Sequence, residues 1–158
     1  MASGSEIERK FLVVAAPGDL ADHHHESIEQ GYIAVEGPVE VRLRRRGGRA
    51  LLTVKAGAGR IRVEEEFEID DRRFESLWPS SDGRRITKTR YELPGDGGLT
   101  IEVDVYTGAL DGLVVAEVEF DSEKAADAFE PPDWLGREIT DDLRYANRAL
   151  AVNGAPEP

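Results

Sequence analysis

The feature that most restricts this chain is an alternation in which charged residues, often of one sign, recur two positions apart along short β-prone segments. In a strand, residues i and i+2 point to the same side. Glu6, Glu8 and Lys10 therefore share a face, as do Arg42 and Arg44; Arg62, Glu64 and Glu66; Lys88 and Arg90; Glu102 and Asp104; and Glu117 and Glu119, while Lys55 stands alone on its strand. The alternate positions are mainly apolar: Ile7; Val41 and Leu43; Val63 and Phe67; Ile101, Val103 and Val105; Ala116, Val118 and Phe120. A one-sided sheet with its charges in water explains any one of these strands. It explains the set poorly, because solvent faces usually mix Ser, Thr, Gln and Lys, whereas this face is nearly all Glu, Asp and Arg. Same-sign neighbours also repel unless another strand or an ion faces them.

Strands are expected over Glu6 to Val14, Val39 to Arg45, Ala50 to Lys55, Arg60 to Ile69, Thr87 to Leu93, Leu99 to Tyr106 and Val114 to Phe120, with Ser27 to Val35 a weaker pattern. Short glycine-rich connections such as Gly47-Gly48 and Gly57-Ala58-Gly59 imply hairpins and hence an antiparallel sheet. Three helices interrupt it: Asp71 to Trp78, after an Asp cap and before Pro79; Ser122 to Phe129, before Pro131-Pro132; and Asp141 to Val152, capped by Thr140. The length, 158 residues, fits one domain over 1–152, with a frayed tail over 153–158.

Charge is segregated along the chain. Val39 to Arg62 holds eight basic residues and one acid, Glu40, whereas Ile101 to Asp133 holds ten acids and one base, Lys124. The formal net charge of −12 argues against nucleic-acid or anionic-membrane partners, which need a positive surface field. No Cys is present, which excludes disulfides, thiolate catalysis and iron–sulfur clusters. No P-loop and no GxSxG elbow occurs, and the polar N-terminus is unlike a signal peptide, so a cytoplasmic protein is expected. His23-His24-His25 reads as a solvated loop, since three adjacent residues on extended backbone cannot all face one ion. Trp78 and Trp134, beside prolines, read as packing anchors; of Arg45 and Arg46, one must face outward.

A closed or nearly closed barrel with a charged, wet lumen accounts for the pattern. Eight acids (Glu6, Glu8, Glu64, Glu66, Glu102, Asp104, Glu117, Glu119) and seven bases (Lys10, Arg42, Arg44, Lys55, Arg62, Lys88, Arg90) would then face one another, summing to −1. Separated acidic and basic walls suit a divalent metal on the carboxylates and a polyanion on the bases. Mg²⁺ and Mn²⁺ prefer carboxylate and water oxygens, and Arg forks match phosphate. Phosphoryl chemistry is the natural reading.

Glu6-Ile7-Glu8-Arg9-Lys10 is similar to the ExExK signature of the CYTH superfamily, the triphosphate tunnel metalloenzymes. Val41-Arg42-Leu43-Arg44, Thr53-Val54-Lys55, Arg62-Val63-Glu64-Glu65-Glu66, Lys88-Thr89-Arg90-Tyr91, Glu102-Val103-Asp104 and Ala116-Glu117-Val118-Glu119 resemble that family's tunnel strands in order. Gln30-Gly31-Tyr32 and the segment from Thr140 to Asn147 resemble further landmarks, so the likeness covers about residues 5 to 152. The resemblance implies a mainly β fold with peripheral helices (α+β), an eight-stranded antiparallel β-barrel tunnel with a charged lumen. It implies a divalent-metal-dependent triphosphatase using Mg²⁺ or Mn²⁺. By motif position the metal ligands would be Glu6, Glu8 and Glu119, with Asp104 and Glu117 supporting them or binding a second ion. Lys10, Arg42, Arg44, Lys55, Arg62, Lys88 and Arg90 would hold phosphate oxygens, with Glu64, Glu66 and Lys10 as catalytic residues. The expected substrate is a small triphosphate, foremost inorganic tripolyphosphate and also nucleoside triphosphates. Adenylate cyclase, thiamine triphosphatase and a non-enzymatic polyphosphate sensor are the alternatives, with room for a homodimer. Arg144 and Tyr145 either close the tunnel or cap the core.

Overall fold

Alternation and turn chemistry produce nine strands in the computed structural model, which describes residues 7–58 and 61–157. They are β1 (Ile7–Val13), β2 (His25–Glu36), β3 (Val39–Arg46), β4 (Arg49–Ala58), β5 (Ile61–Ile69), β6 (Arg85–Pro94), β7 (Thr100–Thr107), β8 (Val114–Phe120) and β9 (Leu135–Glu138). All lie in one sheet ordered β5-β4-β3-β2-β6-β7-β8-β1-β9, and every pairing is antiparallel. The β3–β4 hairpin turns on Gly47 (φ 56°) and Gly48 (φ 82°). A two-residue turn of this hand needs positive φ at both positions, which only glycine adopts freely.

The helices are short. In α1 (Asp71–Leu77), the Asp70 carboxylate accepts from the Arg73 amide, and Pro79 follows in a 3₁₀ turn over Trp78–Ser81. In α2 (Glu123–Ala128), the Ser122 hydroxyl accepts from the Ala125 amide. The expected helix over Asp141 to Val152 is split. A 3₁₀ turn over Leu143–Tyr145 is followed by Ala146 in extended conformation (ψ 142°), and α3 covers only Asn147–Asn153. The Asp142 carboxylate accepts from the Arg144 amide, a local bond that favours a tight turn over a continuing helix.

Three apolar clusters fix the sheet's shape. On the face carrying Phe11, Ile101, Val103, Ala116 and Val118, the covering residues include Ala126 of α2 and Leu135, with Phe129 and Trp134 packed against them. Phe74 of α1 seals Leu43 and Ala50, and Trp78 stacks on Phe74 at 5.0 Å. The third cluster joins Tyr32, Ile86, Tyr106 and Val115 to Ile139, Tyr145, Leu150 and Ala151. These four sheet residues lie on the charged side, because they continue the i, i+2 rows of Gln30, Lys88, Asp104 and Glu117. The C-terminal segment also reaches β1, where the Lys10 ammonium donates to the Tyr145 carbonyl (3.0 Å), and the β2–β3 turn, where Arg148 donates to the Gly37 carbonyl (3.0 Å). One short segment touches strands from β1 to β2 only if the sheet curls round it.

The sheet is thus a curved trough with one end filled by α3. The expected eight-stranded closed barrel differs from it in two respects. A ninth strand, β9, occupies the outer edge of β1, and among the described residues no strand pairs with the outer edge of β5. Since β9 holds the hydrogen-bonding groups of β1 that a closing seam would use, β5 cannot take them.

Candidate active site

Directly opposed residues in an antiparallel ladder point to the same side of the sheet. The registers Glu8↔Glu119, Lys10↔Glu117, Glu102↔Glu117, Arg90↔Asp104 and Lys88↔Tyr106 therefore lay one charged surface across β1, β8, β7 and β6. It continues through Glu26↔Arg90, Gln30↔Arg44, Tyr32↔Arg42, Arg42↔Thr53, Glu40↔Lys55, Thr53↔Glu66 and Lys55↔Glu64 to β5. Every described residue of the expected set thus lies on one face. Arg62 sits opposite Gly57 on β5, but its side chain, like the whole of Glu6, lies outside the described residues.

The bases occupy the middle of this surface and the acids flank them. At its centre Asp104, 2% exposed, accepts from the Lys88 ammonium (2.7 Å) and from Arg90 through Nε (2.8 Å) and Nη2 (2.9 Å). Burial pushes the Asp104 carboxyl up, yet the bonds and charges of Arg90 and Lys88 outweigh it and hold the group below its ordinary range. Burial pulls Lys88 below the usual lysine range against the attraction of Asp104. For Arg90 burial also works downward, but Asp104 with Glu102 and Glu117 reverses it, so the guanidinium is raised.

Arg42 and Arg44 are less compensated. Among the described residues Arg44 donates to a neutral group, the Gln30 side-chain oxygen (2.9 Å), and Gln30 in turn donates to the Tyr32 hydroxyl (2.7 Å). Burial lowers Arg44, and the charges of Arg42 and Arg90 lower it further. Arg42 is 9% exposed, lies 3.7 Å from Glu66, and has a buried Nε without a hydrogen-bond partner. Glu66 is held by the Thr53 hydroxyl at 2.7 Å.

The acidic flank shows the converse strain. Glu8 opposes Glu119, Glu102 opposes Glu117, and Glu92 opposes Glu102, carboxylate against carboxylate. Burial raises Glu102 above the usual carboxylate range; Glu117 and Asp104 add to that, and Arg90 works against it. Two bases reach this flank: Lys10 lies 3.4 Å from Glu117 and Arg90 3.3 Å from Glu102. Glu92, Glu102 and Glu119 line an opening of about 600 Å³ at the end of the trough away from α3. A second cavity of about 440 Å³, lined by Glu40, Lys55, Glu64 and Arg148, lies at the other end.

Glu26, Gln30, Glu40, Arg46, Thr53 and Glu92 also belong to this face and were not among the expected residues. Each stands two positions from a member of the set or directly opposite one, so extending the period-two rows would have found them. Arg46 faces the trough and donates to Glu26 (2.7 Å), whereas Arg45 lies on the other side, bonded to Glu75 (2.7 Å) and stacked over Phe74. Tyr145 is buried in the cluster that fills the trough, while Arg144 is exposed and bonded to Asp142. The three histidines separate as extended backbone requires: His23 lies near Asp19 (3.3 Å) and His25 stacks on Tyr91 (5.0 Å). His24 bonds through its carbonyl to the Glu92 amide (2.9 Å).

Comparison with known proteins agrees with this arrangement. The CYTH domain model matches residues 4–150. An inorganic triphosphatase of Nitrosomonas europaea is 46% identical over 151 residues, covering 94% of this chain and 98% of that one. One from Acetivibrio thermocellus is 39% identical over 154 residues, covering 95% of each. A crystal structure of an inorganic triphosphatase superposes with a TM-score of 0.81 at 44% identity, over 94% of this chain and 95% of that chain. A Pyrococcus furiosus protein at 23% identity and TM-score 0.51, over 78% of this chain and 83% of its own, shares the fold alone.

Proposed function

From the premise that this chain belongs to the CYTH domain family, we propose that it hydrolyses a triphosphate, with inorganic tripolyphosphate as the best substrate and Mg²⁺ or Mn²⁺ as cofactor. The observation that carries the reading is Arg42, buried with its Nε unpartnered, beside the half-buried Arg44, on the same face as the carboxylates of the acidic flank. Like charges crowded on a buried and a half-buried guanidinium are costly unless counter-charge arrives. A polyphosphate supplies the negative charge and a divalent ion the positive.

The donor set fits a hard cation. Glu8 and Glu119, with Glu117 beside them and Glu6 by sequence position, offer carboxylate oxygens without thiolate or imidazole. Asp104 serves differently: both its oxygens are taken by Lys88 and Arg90, so it holds these two bases in place. A metal bound by the carboxylates would neutralise phosphoryl charge and acidify a bound water. Arg42, Arg44, Lys55, Lys88 and Arg90, joined by Arg62, hold phosphate oxygens, with guanidinium forks suited to two oxygens at once. Lys10, fixed by the Tyr145 carbonyl and Glu117, bridges the basic and acidic regions. Glu66, oriented by Thr53, and Glu64 position the attacking water. Water oxygen bonds to the terminal phosphorus, the bridging P–O bond breaks, and pyrophosphate leaves with the electron pair. Charge stabilisation by fixed groups is the main catalytic contribution.

The end filled by Tyr32, Tyr106, Tyr145 and Leu150 favours a bare polyphosphate over a nucleoside triphosphate. We read residues 1–152 as one catalytic unit with a short tail, acting in the cytoplasm on a small molecule rather than on nucleic acid or membrane. Among the described residues no helix is long and apolar enough to cross a membrane. The test is product analysis with tripolyphosphate, ATP and thiamine triphosphate, with and without Mg²⁺ or Mn²⁺. Metal-dependent release of phosphate and pyrophosphate from tripolyphosphate, fastest of the three, is expected. Cyclic AMP from ATP, or tight binding with no product, would replace hydrolysis by a cyclase or a sensor.

A further inference from the structure

A cluster of potential ligand atoms, of different chemistry from the carboxylate flank, lies where β2 begins against the end of β6. His24, Glu26 and Glu92 each direct a ligand atom to one place, and these atoms all lie within 4.8 Å of one another. The grouping follows from the ladder. His24 and Glu26 are two apart on extended backbone, so they share a face, and the bond from the Glu92 amide to the His24 carbonyl (2.9 Å) makes Glu92 the cross-strand neighbour of His24. His25 points the other way and stacks on Tyr91 at 5.0 Å, which fixes the orientation of this strand end. Arg46 donates through Nε to Oε1 of Glu26 at 2.7 Å. An outer partner of this kind orients a ligating carboxylate.

We propose that His24, Glu26 and Glu92 bind a borderline divalent cation of the zinc class at the rim of the trough. An imidazole with two carboxylates is a donor set that suits Zn²⁺, with positions left for water or an anion. Zinc–ligand bonds of about 2.0–2.2 Å put tetrahedral ligand atoms about 3.4 Å apart, so side-chain rotation of about 1 Å per group completes the site. His24 is exposed and the two glutamates are partly so, which leaves the groups free to make that adjustment. The site lies beside the opening that Glu92 also lines, and an ion there cancels two carboxylate charges where an anion would enter. Arg46 and Arg90, both adjoining Glu26, oppose the ion and keep the affinity moderate. The mixed donor set separates this rim site from the all-carboxylate one, and it stands whether or not the triphosphatase reading does.

The chain has only three histidines, so ring-nitrogen NMR of the full protein resolves the site directly. With excess Mg²⁺ present, one equivalent of Zn²⁺ is expected to shift one imidazole, that of His24. His24→Asn should abolish the shift and weaken Zn²⁺ binding at least tenfold, with Mg²⁺-dependent turnover and the circular dichroism spectrum unchanged. Glu92→Gln should weaken the same binding while leaving the His24 ring in place. Zn²⁺ shifting His23 or His25 instead, no imidazole shift at all, or undiminished binding by His24→Asn would each overturn the proposal.

Discussion

Replacing Asp104 by asparagine tests whether the centre of the trough is held by charge. The carboxylate is 2% exposed and receives three hydrogen bonds from two cations, one of which, Lys88, is itself 2% exposed. The amide would keep one carbonyl acceptor but no charge, leaving Lys88 buried without its ion partner, while Arg90 retains Glu102 at 3.3 Å. Removing one member of a buried pair costs about 3–5 kcal/mol, because the other ion stays desolvated. The loss should depend on pH. Burial already lowers Lys88, and without Asp104 its folded pKa falls further below the unfolded value of about 10.4. Between those values the unfolded chain binds more protons, so the stability of D104N rises with pH. Urea unfolding should therefore show a deficit of about 3–5 kcal/mol at pH 7 that shrinks towards pH 9.5. Adding Lys88→Met should recover part of it, since that change removes the stranded charge. A deficit under about 1 kcal/mol at pH 7, or a double variant as unstable as the two losses summed, would refute the electrostatic account.

Four further outcomes are expected. Glu8→Ala or Glu119→Gln should abolish metal-dependent turnover with unfolding midpoints little changed, and normal turnover by either folded variant would remove the carboxylate flank from the mechanism. Chelation should remove activity and added Mg²⁺ or Mn²⁺ restore it, measured as phosphate release. Gly31→Ala should destabilise by about 1–3 kcal/mol in urea, because a Cβ there meets the Ser81 Cβ at 2.7 Å and a Trp78 ring carbon at 2.8 Å. In acid, the wild type should lose the stability held by Asp104 as pH falls below about 4 through its lowered folded pKa, and D104N should lack that component in a pH series of thermal melts.

Much of this was legible in the residues because a strand has a period of two. Once Arg42 and Arg44 share a face, the ladder carries the same face to Thr53 and Glu66 by register. Val114–Phe120 matched its expected bounds, and Asp70 and Ser122 cap α1 and α2 as their hydrogen-bonding oxygens favour. What was not legible depends on contacts between distant segments. β9, four residues long, shows no alternation and exists because β1 offers it an edge. Leu143, Ala146, Asn147 and Leu150 read as one stripe of a helix, but nothing local says that Leu150 would enter the charged side of the sheet while Leu143 stays exposed. β2 was only a weak pattern because Gln30, Gly31 and Tyr32 replace the usual charged and β-branched residues. With it went Glu26 and the cross-strand partners of His24.

The division of labour between the faces explains how such a costly surface is tolerated. Arg42 and Arg44 repel each other, so this part of the trough locally opposes folding. Stability must come from elsewhere, and the outer face supplies it through the aromatic and aliphatic cluster around Phe11, Val103 and Val118, all 1% exposed or less. The filled end adds a second anchor. Tyr106 donates to Asn147 at 2.9 Å and Leu150 is 1% exposed, so α3 ties together strands that the charges would drive apart. Asp104 is the point where the two demands meet, since it neutralises Lys88 and Arg90 within the fold, while Arg42 and Arg44 have only the more distant Glu66. A sequence under selection for stability alone would have made those two arginines apolar or given Arg44 a carboxylate of its own. Their presence side by side, Arg44 against a neutral glutamine, is the mark of a site whose further counter-charge comes from a bound anion.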